Sequence, residues 1–173
     1  MLGPLMNTKR CMPIALTDLL DNVHILSSPT RSIATIAQEM NADEGSIINP
    51  IICLVGSQPV MALMAGDKAC DADKIGQVLN LVGNVVMMSH DEINQLTGGS
   101  VDELYPLELA QRLPTIIDAS LKRFSVLYSR AGSSHCLIAT TYSEIKVLTH
   151  GTISYGVATP TWHPSQDHTA TAS

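Results

Sequence analysis

An α/β fold of the α+β kind, a mixed sheet with helices packed around it, is what this 173-residue chain predicts. Three observations carry that expectation. Short apolar runs bounded by turn residues alternate with stretches of helical spacing. Strand-like runs outnumber helical ones, and hairpins mix with crossovers, which disfavours a doubly wound sheet. Apolar residues make up 45% of the chain, enough for one core at this length. Aromatics are only 3%, so Ile, Val, Leu, Met and Ala must fill that core.

The elements follow in order. Ser32–Asn41 places Ile33, Ile36, Ala37 and Met40 on one face, which is helical spacing. Ile51–Val55 and Val60–Ala65, separated by Gly-Ser-Gln-Pro, read as buried strands of a hairpin. Asp71–Asn80 reads as a helix, with Ile75, Val78 and Leu79 at helical spacing. Val85–Met88 is a short strand. Ser89 and Glu92 form a capping box opening a helix that stops at Gly98-Gly99. A polar loop, Ser100–Tyr105, leads to Pro106.

Thr115–Ile117 is a strand, and Asp118 caps the helix after it. Val126–Tyr128 and Cys136–Ala139 are strands flanking the turn Arg130–Ser134. Thr141 and Glu144 form a second capping box, for a helix ending near His150-Gly151. Ile153–Val157 is the last strand. The folded unit is expected over 13–158, with a loose lead-in at 1–12 and a mobile tail at 159–173.

Composition excludes several function classes. A net charge of −6 rules out a whole-domain basic field for nucleic acid. The local clusters Lys122, Arg123 and Arg130, and Lys68 with Lys74, read as solvated surface charges. Cys11, Cys53, Cys70 and Cys136 form no CxxC pair and match no zinc spacing, so no metal site is expected. Cys53 and Cys136 read as small buried hydrophobes. No apolar run approaches the roughly 18 residues of a membrane helix. The amino terminus lacks a signal-peptide core, and the expected address is the cytoplasm.

Common catalytic motifs are missing: no GxGxxG, no phosphate loop, no GxSxG and no HExxH. No cofactor is expected. His150 is accounted for by a helix C-terminus. His135 beside Cys136 suggests a thiol–imidazole pair, but strand neighbours point to opposite faces. Asp102-Glu103 is a carboxylate pair in a loop, and adjacent carboxylates rarely converge for acid–base work. Met61, Met64, Met87 and Met88 fit a core better than a partner surface.

From about residue 23 to 157 the order of segments resembles the YbaK and prolyl-tRNA synthetase editing-domain family of aminoacyl-tRNA deacylases, the kind that edits Cys- or Ala-tRNAPro. HDEINQLTGGSVDELYPLEL and LPTIIDASLKRFSVLYSRAGSSHCLIATTYSEIKVLTHGTISYGVA carry the resemblance best. It implies a curled, partly barrel-like mixed sheet surrounded by helices. It implies hydrolysis of the ester on mischarged tRNA, with the aminoacyl-tRNA 3′ end as partner.

Three parts of the family's pocket carry over to this chain. Asn49, followed by Pro50, takes the place of a lysine and is the candidate catalytic position. Asp102, Glu103, Leu104, Tyr105 and Pro106 match a GxxxP loop, keeping the proline and losing both glycines. Two carboxylates are thereby expected where the tRNA end docks. Ala131-Gly132-Ser133 keeps a small-residue turn, with Gly132 expected at positive φ. The binding residues so implied are Pro50, Asp102, Glu103, Tyr105, Pro106, Gly132 and Ser133. The alternative is a non-catalytic module on the same fold that binds a ligand or a protein partner.

Overall fold

The computed structural model describes residues 22–30 and 32–160, with Asp102 described by its backbone alone. The lead-in at 1–12 and residues 161–173 of the expected tail, with Cys11, His163 and His168, lie outside the described residues, whereas Thr159 and Pro160, expected in that tail, belong to a strand.

Ten strands and five α-helices are formed among the described residues. The strands are β1 (Val23–Ile25), β2 (Ile48–Val55), β3 (Gln58–Ala65), β4 (Lys68–Cys70), β5 (Val85–Met87), β6 (Thr115–Asp118), β7 (Leu127–Arg130), β8 (Cys136–Thr140), β9 (Thr152–Ser154) and β10 (Ala158–Pro160). The helices are α1 (Ile33–Met40), α2 (Asp73–Val78), α3 (His90–Thr97), α4 (Pro106–Leu109) and α5 (Tyr142–Thr149). The main sheet has the order β5-β2-β3-β6-β9, and smaller sheets have the orders β1-β8-β7 and β10-β4. The main sheet is mixed, as expected: β3–β6 and β6–β9 are parallel, and the other neighbours antiparallel. The curl does not close, and the described strands divide among three open sheets.

The β2–β3 hairpin is the longest pairing. It runs from Ile48 opposite Ala65 to Val55 opposite Gln58. That leaves a two-residue loop, in which Gly56 has φ of 62°. Both strands are longer than their apolar runs because Asn49, Pro50 and Pro59 join them. Proline is tolerated on a strand where no neighbour needs its missing N–H. On β2, β5 pairs only with Cys53–Val55, so the flank at Pro50 is open.

Both faces of this sheet are covered, which explains the uninterrupted apolar run of β3. Ile48, Ile52, Met61, Leu63 and Ile117 pack on one face with Leu107, Leu127, Ile138 and Ile145. Cys53, Val60, Ala62 and Ile116 pack on the other with Ile75 of α2. Burial pushes the Cys53 thiol up to about 11, so it behaves as a small hydrophobe. Cys136 is only half-buried. Met61 and Met64 are fully buried, whereas Met87 is half-exposed.

Both expected capping boxes form, at Ser89/Glu92 and Thr141/Glu144. Asp118 caps a 3-10 turn, Ala119–Arg123, rather than an α-helix. Its second oxygen accepts from the backbone N–H of Ala158 at 3.1 Å, which docks β10. The expected strand at Ile153–Val157 is split, because Gly156 and Val157 both donate to the Ser154 hydroxyl. His135 meets the Ser134 hydroxyl through Nδ1 at 3.3 Å, and no thiol–imidazole pair with Cys136 is formed.

Two close approaches fix the start of β2. A side chain on Gly66 would lie 2.6 Å from the Glu44 carbonyl oxygen and 2.8 Å from that of Ile47. Backbone atoms cannot move aside cheaply, so Gly66→Ala is expected to lower stability by about 1–3 kcal/mol. Gly99, with open space around it, is the control, and Gly99→Ala should be close to neutral in the same denaturant titration.

Next to Gly66, Asp67 accepts from Arg123 through both oxygens at 2.9 and 2.6 Å. The guanidinium bond holds the Asp67 carboxyl below its ordinary value, and partial burial opposes this. A depressed carboxylate contributes stability above its unfolded pKa and loses it as pH falls through its folded pKa. Arg123→Gln should therefore cost about 0.5–1 kcal/mol at neutral pH, for a pair this exposed. That deficit against wild type should shrink in melts taken from about pH 5 toward pH 2.

Candidate functional site

β2 and β7 run side by side where the main sheet meets the small one. Ile47, just before β2, bridges Tyr128 of β7 in parallel. Two residues further along each strand stand Asn49 and Arg130. Both line one cavity of about 290 Å³. Its floor is apolar, built from Ile51 and Ile52 of β2, Met87 and Met88 at β5, and Ile93 of α3. Val101 and Leu104 close it from the loop after α3, and His90 stands at its edge on the first turn of that helix.

The loop is held from both ends. α3 stops because Gly98 takes φ of 75°, and its N–H caps the Asn94 carbonyl at 2.9 Å. The Asn94 side-chain oxygen then accepts from the N–H of Val101 at 2.9 Å. At the far end Gly132, with φ of 82° as expected, donates its N–H to the Leu104 carbonyl at 3.3 Å. The β7–β8 turn thus grips the loop that matches the GxxxP segment.

A second cavity of about 310 Å³ lies on the other side of the same loop. Leu104 is common to both. Glu103, Tyr105 and Gly132 line this second cavity, with Gly98, Glu108 and Arg112. Tyr105 is 6% exposed, and its hydroxyl has no hydrogen-bond partner among the described residues. Burial and the nearby Glu108 carboxylate hold that phenol well above its ordinary pKa.

The sequence-derived residues are therefore divided. Asn49 and Pro50 line the first cavity; Glu103, Tyr105 and Gly132 line the second. Pro106 is buried at the first position of α4, where its missing N–H costs nothing. The Ser133 hydroxyl accepts from the N–H of His135 at 3.3 Å, shaping the turn. Asp102 occupies a 3-10 turn, Val101–Glu103. No carboxylate lines the Asn49 cavity among its described residues.

Arg130 was expected among solvated charges and instead lines the cavity half-buried, while Lys122 and Arg123 are exposed. Its Nη2 donates to the Thr30 carbonyl at 2.6 Å. Arg130 escapes sequence reasoning because its placement depends on a bridge between strands some eighty residues apart, and His90 and the two methionines because theirs depends on the pairing of β5 with β2. Among the described residues no three His, Cys, Asp or Glu side chains gather as metal ligands. No described helix is long and apolar enough to cross a membrane.

The Asn94 contact gives a direct check on the loop. Asn94→Ala removes one hydrogen bond of about 1 kcal/mol. The amide of Val101 should then exchange with deuterium roughly fivefold faster, with the β2–β3 amides unchanged.

Comparison with known proteins agrees with this fold. A 90-residue stretch, 52% of the chain, is 30% identical to the uncharacterized protein YwhH of Bacillus subtilis (strain 168). The match spans 56% of that protein, so the chain covers little more than half of its curated relative. Among solved structures, hypothetical protein APE2540 superposes with a TM-score of 0.73 over 84% of this chain and 99% of its own, at 19% identity. A candidate trans-editing enzyme for prolyl tRNA synthetase superposes with a TM-score of 0.71 at 20% identity, covering 90% of this chain and 98% of its own. At these identities the superpositions establish the fold alone. The aminoacyl-tRNA editing domain model matches residues 27–148, well over half of the chain, and the chain belongs to that family.

Proposed function

We propose that this chain hydrolyses the ester that joins an amino acid to the 3′ end of tRNA, in the cavity shared by Asn49 and Arg130. The observation that carries the reading is that cavity. Asn49 and Pro50 of β2 and Val101 and Leu104 of the loop, all within the segment that matches the family, line it together.

In the reaction the oxygen of a water adds to the acyl carbon, and the bond from that carbon to the ribose oxygen breaks. One water proton ends on the ribose oxygen, leaving a free amino acid and an intact 3′ end. The slow part is charge building on the carbonyl oxygen, which hydrogen-bond donors must meet. The Asn49 amide is such a donor at the cavity wall. In this reading proton movement falls to the water and the substrate's own ribose hydroxyl. The apolar floor of Ile52, Met88 and Ile93 suits an apolar acyl group, since a charged one would lose its hydration without a partner.

The competing reading, a non-catalytic module that binds a ligand or a protein partner, draws support from the neutral Asn49 and from the net charge of −6. Single-turnover deacylation of a mischarged tRNA panel, including Ala- and Cys-tRNAPro, separates the two. Wild type should hydrolyse the small apolar esters well above buffer, and Asn49→Ala should lower that rate on the order of 10²-fold. Hydrolysis no faster than buffer across the panel would overturn the deacylase reading and favour the module.

A further inference from the structure

Resting on the deacylase reading for its substrate, we propose that Lys122, Tyr142, Lys146 and Tyr155 form a docking surface for single-stranded RNA, the unpaired nucleotides that lead to the ester-bearing end. Tyr142 stands at its centre. The ammonium groups of Lys122 and Lys146 lie 5.8 and 5.1 Å from the centroid of its ring. An aromatic face attracts a cation. One ring therefore gathers two like charges from separate elements, the 3-10 turn after β6 and α5. Both lysines are exposed, and neither makes an ion pair among the described residues. The carboxylates around them are engaged elsewhere. Asp118 is buried and accepts from the N–H groups of Ser120 and Ala158. Glu144 accepts from the Thr140 hydroxyl and the Thr141 N–H, and Asp67 pairs with Arg123. Two ammonium groups held together without a counter-charge repel each other, and a bound anion relieves that.

Tyr155 adds an aromatic platform. It is 80% exposed, in a chain with only 3% aromatics. Burial, with the Tyr155 phenol and the Asp118 carboxylate close by, holds the Tyr142 phenol above its ordinary value. Phosphates for two cations and a base for an open ring are what an unpaired strand offers. A duplex keeps its bases stacked on one another and offers phosphates alone, and an acidic peptide has no base to stack.

Strand register sets this surface at the end of the main sheet that carries Asn49. Pro50 pairs with Leu63, Leu63 with Ile117, and Ile117 with Ile153. One residue beyond that row, in the same direction, stand Asn49, Asp118 and Ser154. The turn with Lys122 continues from Asp118, and Tyr155 follows Ser154. Three strand spacings, roughly 14 Å, separate Asn49 from Ser154. A few unpaired nucleotides span that distance.

The probe is an uncharged RNA hairpin ending in an unpaired CCA, beside the same hairpin cut blunt, each titrated at several salt concentrations. Wild type should bind the overhanging hairpin more tightly than the blunt one. Lys122→Gln and Lys146→Gln together should weaken that binding about 10- to 100-fold, on the order of a charged hydrogen bond. The log–log salt slope should fall by about 1.4, the value for two phosphate contacts on a single strand. Tyr155→Ala should weaken binding about 5- to 100-fold, the range for one stacked base, with the slope unchanged. Tyr142 acts through the lysines, so Tyr142→Phe, which keeps the ring, should bind as wild type does, and Tyr142→Leu should not. The lysines and Tyr155 are exposed, so their variants should keep the wild-type melting midpoint.

Equal binding of the two hairpins, or wild-type affinity in the double-lysine and Tyr155 variants, would overturn the proposal. So would a polyglutamate peptide that displaces the hairpin and binds Tyr155→Ala undiminished, which would leave a surface for an acidic protein. The probe carries no ester. RNA binding with the expected pattern but no hydrolysis of the mischarged panel would therefore sink the deacylase reading alone, with the docking surface standing.

Discussion

The pairing of β2 with β3 is the constraint from which the rest of the structure follows. It is the one ladder that runs eight residues, and both of its faces are covered by core. β3 is therefore the fixed member against which β6 and then β9 align in parallel. β2 carries Asn49 to the margin of the sheet, where β5 no longer pairs and a cavity can open. A one-residue slip of this ladder would turn Ile48 and Ile52 away from their core and exchange Asn49 for a neighbour. Gly66 guards the register. It lets the turn after β3 pass within contact of the Glu44 and Ile47 carbonyls, which lead into β2.

The second organising feature is the loop from Gly98 to Tyr105. It separates two cavities of similar size and opposite character. One is floored by Ile, Met and Val and holds an arginine; the other is lined by Glu103, Glu108 and Arg112. Leu104 is the partition between them. The loop holds its position through two hydrogen bonds, from the Val101 N–H to the Asn94 side chain and from the Gly132 N–H to the Leu104 carbonyl. Glycine at 132 is needed for its positive φ. The unsatisfied Tyr105 hydroxyl adds a buried donor beside Glu108, which is costly to stability unless a ligand or water meets it.

Much of the architecture was legible in the residues, because local chemistry fixed it. The capping boxes at Ser89 and Thr141 form as written, and the mixed order of strands and helices holds. The positive φ of Gly132 follows from the turn that needs it. What escaped was non-local. β4 and β10 are three-residue strands that exist because they pair with each other and because Asp118 docks Ala158. Neither has a pattern of its own. The site shows the same division. Asn49 and the loop were found by resemblance, which sees residue order. Arg130 was assigned to solvent because its place is set by the bridge from Ile47 to Tyr128, which no local pattern encodes.

Net charge and local charge give opposite answers about RNA, and distance decides between them. Charges are screened over about 8 Å at physiological ionic strength. Most of the carboxylates behind the net charge of −6 are therefore felt weakly inside the Asn49 cavity. A half-buried arginine at its wall is screened far less. An acidic exterior disfavours indiscriminate adsorption of nucleic acid. On the reading proposed above, the acidic composition weakens binding along the length of tRNA and leaves recognition to the end that carries the ester.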